Sequence, residues 1–166
     1  MGQPDRRLDR GKDAFNQVYG EGAADTFLAR RAGLGEDLAR FGLEFNFGDV
    51  NARPGIDLAT RELLTLAALI GLGGADPQLA GHTRAALRLG VPPATLAELV
   101  IHCVQYVGFP RAINAMAVVR DTLSECGVDV TLPHPPNPQT PGADTPGPQT
   151  PGRGATGPET TSAEAS

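Results

Sequence analysis

Two of the chain's three histidines, His82 and His102, stand in stretches of helical periodicity, and His82 keeps the more suggestive company. Leu79, His82, Ala86 and Leu87 recur at helical spacing and share one face, which directs the imidazole inward. An imidazole there is either a buried, hydrogen-bonded core histidine or a general acid or base, because it titrates near neutral pH. Glu62 falls on a mostly apolar stripe with Leu58, Thr65 and Leu69. A buried carboxylate is costly unless paired, so it is either half of a salt bridge, with Arg61 or Arg53 as partner, or a catalytic group. Arg53 precedes Pro54 and is therefore held extended. A fixed guanidinium suits carboxylate recognition, since its fork matches two oxygens; the plainer reading pairs it with Asp49 or Asp57. His102 and Tyr106, four residues apart, either line a cavity or mark a subunit boundary.

The elements that must position these groups read as helices throughout. The pattern predicts about six: from Asp5 to Tyr19, from Ala23 to Leu43, interrupted or softened near Gly33 and Gly35, and from Leu58 to Leu72. Three more follow Asp76-Pro77, Pro92-Pro93 and Pro110, ending near Gly90, Val107 and Gly127. Between the second and third, Asn46 to Gly55 is rich in turn residues and reads as a loop. The expected fold class is all-α, a compact bundle. The helix from Leu58 to Leu72 is apolar nearly all round, which a unit this small would have difficulty covering, so self-association is expected. A straight hairpin between this helix and the next leaves Glu62 and His82 offset by roughly 6 to 8 Å along the axis. A kink, a bridging group or a neighbouring subunit would then be needed to join them.

Residues 5–131 form the expected folded domain. From 132 to 166 there is no aromatic residue, no aliphatic larger than alanine after Leu132, and nine of the 15 prolines. That stretch cannot bury enough apolar surface to offset its ordering entropy and reads as a disordered tail. With 14 Lys and Arg against 19 Asp and Glu, the chain carries a net charge of −5 and builds no basic patch, which argues against nucleic-acid binding. The longest apolar run, Leu63 to Leu72, is too short for a membrane span. No secretory signal is visible, and Cys103 and Cys126 form neither a CxxC nor a zinc pattern, so two free thiols in a cytoplasmic protein without a bound metal are expected.

Five segments carry a family resemblance: Phe47-Gly48-Asp49-Val50-Asn51-Ala52-Arg53-Pro54-Gly55, the run from Thr60 to Gly71, Gln78-Leu79-Ala80-Gly81-His82, the run from Ala85 to Val91, and Tyr106-Val107-Gly108-Phe109-Pro110-Arg111-Ala112-Ile113-Asn114. In this order and spacing they resemble the carboxymuconolactone decarboxylase family, the decarboxylase-type branch of the alkylhydroperoxidase D-like superfamily. The resemblance implies a helical protomer that assembles into trimers or hexamers. It also implies a cofactor-independent lyase of aromatic-compound catabolism, acting on 4-carboxymuconolactone or a similar small acid. On matching positions His82 would supply a proton, Glu62 would tune or orient it, and Arg53 would anchor a carboxylate; His102 and Tyr106 are further substrate-binding candidates from their shared helical stripe alone. Two other readings stand beside this one. A non-catalytic oligomeric ligand-binding scaffold would keep the same fold. A peroxide-reducing oxidoreductase would need a CxxC dithiol between its glutamate and histidine, and the interval from Glu62 to His82 holds no cysteine.

Overall fold

The computed structural model describes residues 6–132. Seven α-helices and one π-helical segment make up those residues, with no strand among them, as an all-α reading requires. The expected tail lies, apart from Leu132, outside the described residues.

α1 (Arg6–Tyr19) buries Gly11, Ala14, Phe15 and Val18 on one face and stops at Gly20, whose φ of 107° favours glycine. The segment expected from Ala23 is interrupted near Gly33, as its glycines suggest, into α2 (Ala23–Ala29) and α3 (Glu36–Phe41), parted by a turn in which Gly33 takes a φ of 82°. Asn16 of α1 accepts a hydrogen bond from the Ala24 amide through Oδ1 at 2.9 Å and so steadies the start of α2.

α3 runs directly into a π-helix, Gly42–Asn51, where the sequence suggested that helix would give way to loop by Asn46. The Ala52 amide bonds the Phe47 carbonyl five residues back at 3.0 Å, which marks the wider turn. What overrides the turn-forming residues is contact with α1. A Cβ on Gly11 would lie 2.2 Å from the Leu43 carbonyl oxygen, and one on Gly48 would lie 2.8 Å from that of Arg7. Two glycines thus let the backbones meet, and charges pin the result. Arg7 pairs with Asp49, and Arg10 reaches both the Gly48 carbonyl at 2.6 Å and Asp49 at 3.1 Å. The half-buried contacts extend to Glu44, which is held by Arg40 at 2.5 Å.

α4 (Leu58–Leu72) is capped by Asp57, whose side chain accepts from the Thr60 amide at 2.9 Å and the Thr60 hydroxyl at 2.7 Å. Gly73 and Gly74, at φ of 71° and 70°, turn the chain into α5 (Asp76–Arg88). Ala75 rather than Asp76 occupies the cap position there, and Pro77 sits in the first turn. α6 (Pro93–Val107) and α7 (Phe109–Glu125) meet at Gly108.

Two apolar clusters hold this arrangement. One joins α4 to α7 through residues such as Leu66, Ile70, Leu79, Leu96, Val100 and Val119. The other joins α1, α2 and the π-helix through Phe15, Val18, Ala24, Leu43 and Phe47, and it takes in Ala85 of α5. α5 therefore contributes to both cores, with Leu79 and Ala86 on one side and Ala85 on the other. His82 sits on this shared helix.

Candidate active site

His82 and Glu62 meet within one chain. Nδ1 of His82 lies 2.7 Å from Oε2 of Glu62, whose side chain keeps only 4 % of its surface. No kink, bridging group or second subunit is needed for the contact, contrary to the offset expected of a straight hairpin. That estimate set the two helix ends level. The connector from Gly73 to Ala75 is three residues, with an extended reach of roughly 10 Å. It is long enough to absorb the offset, and the glycines' positive φ values allow the chain to redirect there.

Chemistry assigns the proton in this contact. A carboxylate has only acceptors, so the imidazole donates through Nδ1, leaving Nε2 as the ring's exchangeable position. Glu62 thereby fixes the tautomer and the orientation of the ring. The Tyr19 hydroxyl lies 3.2 Å from Nδ1 and 3.4 Å from Nε2, at the end of α1. Burial pushes the Tyr19 pKa well above the ordinary tyrosine value, and the negative charge of Glu62 raises it further. Tyr19 is therefore a neutral hydroxyl across the working pH range, able to donate to a neutral ring or accept from a charged one.

His82 opens onto a cleft of about 910 Å³. Its floor is aromatic: Phe15 packs on Tyr19 with ring centroids 4.5 Å apart, on Phe47 at 4.7 Å and on Phe27 at 5.0 Å. The π-helix contributes Asn46 and Asn51 to the rim, α4 contributes Thr65, and α5 contributes Gln78. Arg30 and Arg31 line the outer side. A mostly apolar pocket with a few convergent polar groups is the usual form of a small-molecule site. Among the described residues no group of three or more His, Cys, Asp or Glu side chains could hold a metal ion.

The other expected site residues lie elsewhere. Arg53 is exposed on the connector between the π-helix and α4, and it is not among the residues lining the cleft. Its carbonyl accepts from Arg61, which also binds the Ile56 carbonyl, so neither arginine pairs with Glu62. His102 and Tyr106 stack loosely on the exposed face of α6, ring centroids 5.6 Å apart, also away from the cleft. Tyr19 escaped the sequence reading as a site residue. Its signal is faint: it follows Phe15 by four residues at the edge of the α1 apolar stripe, with a polar tip just before Gly20.

Residues 36–121 match the carboxymuconolactone decarboxylase family. The chain is 32 % identical over 124 residues to a 4-carboxymuconolactone decarboxylase from Acinetobacter baylyi, covering 75 % of this chain and 92 % of that protein. It is also 40 % identical over 82 residues to a nitrosuccinic acid decarboxylase from Metarhizium robertsii, covering 49 % of this chain and 57 % of the relative.

Proposed function

The chain belongs to the carboxymuconolactone decarboxylase family, and we propose that it is a cofactor-independent decarboxylase in which His82 is the proton donor, Glu62 its orienting partner and Tyr19 a neutral hydrogen-bonding neighbour. The observation that carries this reading is the 2.7 Å contact between a buried carboxylate and an imidazole at the wall of an open cleft.

The substrates named for the two relatives have a chemical feature in common. 4-Carboxymuconolactone bears a carboxylate whose electrons can pass through the ring alkene into the lactone carbonyl. Nitrosuccinic acid bears one on the carbon that carries a nitro group. In either case the bond from carbon to carboxylate breaks, carbon dioxide leaves, and the electron pair spreads into the acceptor group as a stabilised anion. One proton then goes to carbon. The protein's task is to hold the acid, stabilise charge as it moves onto the acceptor, and deliver that proton. Protonated His82 can give its Nε2 proton to carbon while its Nδ1 proton stays on the ring, hydrogen-bonded to Glu62, and the neutral ring regains a proton from water in the open cleft. The aromatic floor beside it favours release of the departing carboxylate, because an apolar surface stabilises neutral carbon dioxide better than the anion.

We place the substrate in the class of small acids with an electron-accepting group conjugated to the departing carboxylate, as in aromatic-compound catabolism. His102 and Tyr106 belong, in this reading, to a boundary between subunits of a homo-oligomer rather than to the cleft of their own chain. The test is the fall in ultraviolet absorbance as 4-carboxymuconolactone, generated in situ, is consumed. Turnover by wild type and its loss in His82→Gln support the reading. A folded His82→Gln protein as fast as wild type removes His82 from the mechanism. Absence of turnover by wild type removes this substrate and favours the ligand-binding scaffold.

A further inference from the structure

We propose that the outer wall of the cleft is an anion subsite built on Arg31, which takes the carboxylate that the reaction leaves in place and so selects diacids. The proposal rests on the decarboxylase reading for the nature of the ligand, not for the existence of the subsite.

Arg31 lies in the turn after α2, and its guanidinium is already positioned. Its Cζ lies over the Phe27 ring, 3.8 Å from the centroid, and Nη1 donates to the Phe27 carbonyl at 3.1 Å. The ring contact and that bond restrict a side chain that is otherwise rich in rotamers, which lowers the entropy lost on binding. Nη1 carries its only side-chain hydrogen bond among the described residues, so Nε and Nη2 remain as donors for a ligand. Neither Arg31 nor Arg30 has a carboxylate partner among the described residues, whereas Arg7, Arg10, Arg40, Arg84 and Arg120 do. Two guanidiniums face one carboxylate, that of exposed Glu21, among the cleft-lining residues.

The aromatic row links this cation to the reacting end. Phe27 packs on Phe15, Phe15 on Tyr19, and Tyr19 bonds His82. A ligand lying along that row meets a proton donor at one end and a fixed guanidinium at the other. The division of labour is chemically sound. An arginine on the departing carboxylate would stabilise a charge that disappears in the transition state and would raise the barrier. An arginine on a retained carboxylate binds ground and transition states alike and anchors without that penalty. Arg53, exposed and off the cleft, is not placed for either task within its own chain.

The experiment is isothermal titration of the full chain with two matched series that undergo no decarboxylation: succinate, glutarate and adipate against butyrate, valerate and hexanoate. Wild type is expected to bind at least one diacid about tenfold more tightly than the monoacid of equal length, as a charge-assisted fork contact provides. The best diacid length then measures the separation of the two ends. Arg31→Gln, an exposed substitution, should erase that preference, so that diacid and monoacid of equal length bind about equally. Arg53→Gln should keep the preference. A wild type with no preference, an Arg31→Gln protein that retains it, or an Arg53→Gln protein that loses it instead overturns the proposal. Loss of preference in Arg31→Gln, in a chain that turns over no carboxylated lactone, would leave the subsite standing and the decarboxylase reading refuted.

Discussion

Oε2 of Glu62 and Nδ1 of His82 lie 2.7 Å apart, joining α4 to α5 through a carboxylate that is almost wholly buried. Unpaired, that carboxylate would be costly at this depth; paired, it sets the imidazole's tautomer and angle. His82→Gln should lower kcat by about 10²–10⁴-fold with little change in KM, since a general acid acts in the transition state. Glu62→Gln keeps the volume but loses the charge and the unique orientation, and a reduction of about 10²-fold is expected. Steady-state rates on folded variants check both. A Glu62→Gln enzyme as active as wild type would show that the pair is structural only.

Tyr19 yields a prediction about stability. Its folded pKa is raised, by burial first and by Glu62 second. A raised value means that the unfolded chain loses this proton first as pH rises. The contribution to stability is whole below the ordinary tyrosine value of about 10 and is lost as pH climbs from there toward the folded value. Wild type should therefore lose stability above about pH 10 at up to about 1.4 kcal/mol per pH unit from this group. Tyr19→Phe should show a shallower alkaline decline in urea unfolding. Identical slopes for the two proteins would mean that the hydroxyl is not buried as described.

Much of this architecture was legible in the sequence, and what was not has a common cause. Asp57 announced the start of α4 and Gly73-Gly74 its end, because caps and left-handed turns are local. The inward faces of His82 and Glu62 followed from helical spacing alone. The π-helix did not, because Asn46, Gly48, Asp49 and Asn51 are turn formers unless α1 lies against them. That contact depends on Gly11, Arg7 and Arg10, some 38 residues away in the case of Arg10 and Gly48. The direct Glu62–His82 bond depended on how the connector between α4 and α5 sets their ends. Tyr19, Arg30 and Arg31 entered the cleft through tertiary packing, which one helix's periodicity does not encode. Arg53 shows the reverse: a plausible local argument placed it at a site that its own chain does not bring it to.

The cysteines should be dispensable. Burial pushes the Cys103 thiol up, away from the reactive thiolate, and Cys126 is exposed; neither is bonded to the other. Cys103→Ala with Cys126→Ser is expected to retain decarboxylation within about twofold, since surface and small core changes of this kind are mild. No dithiol-dependent peroxide turnover is expected of either protein. Peroxide reduction by wild type that vanishes in the double variant would establish thiol chemistry.

A surface prediction concerns α4, α6 and α7. Leu64 and Leu72, Ile101 and Tyr106, and Phe109 and Ile113 are all exposed, on helices that pack against one another in sequence. Exposed apolar residues concentrated on adjoining helices mark an interaction surface. The full chain should sediment as a homo-oligomer at micromolar concentration, and Ile101→Glu with Ile113→Glu should shift it toward the monomer while helical content is retained. A wild-type monomer, or an oligomer indifferent to both changes, would locate the association elsewhere or deny it.

Two glycines in helices should respond oppositely to the same substitution. At Gly11 a Cβ would stand 2.2 Å from the Leu43 carbonyl oxygen and 2.7 Å from its carbon, both backbone atoms that cannot rotate aside. Alanine there must push α1 from the π-helix, and overpacking of this kind costs about 1–3 kcal/mol. That outweighs a gain of roughly 1 kcal/mol from helix propensity. At Gly81, within α5, a Cβ would meet nothing within 4 Å. Alanine there should stabilise the protein by about 0.5–1 kcal/mol. Because Gly81 lines the cleft beside His82, its methyl group should also crowd the substrate and raise KM. Gly11→Ala, by shifting the helix that carries Asn46 and Phe47, should lower both stability and rate. Thermal unfolding and kinetics on the two variants separate these effects. A Gly11→Ala protein with a higher melting temperature than wild type would mean that the close approach of α1 to the π-helix is not what holds the cleft in shape.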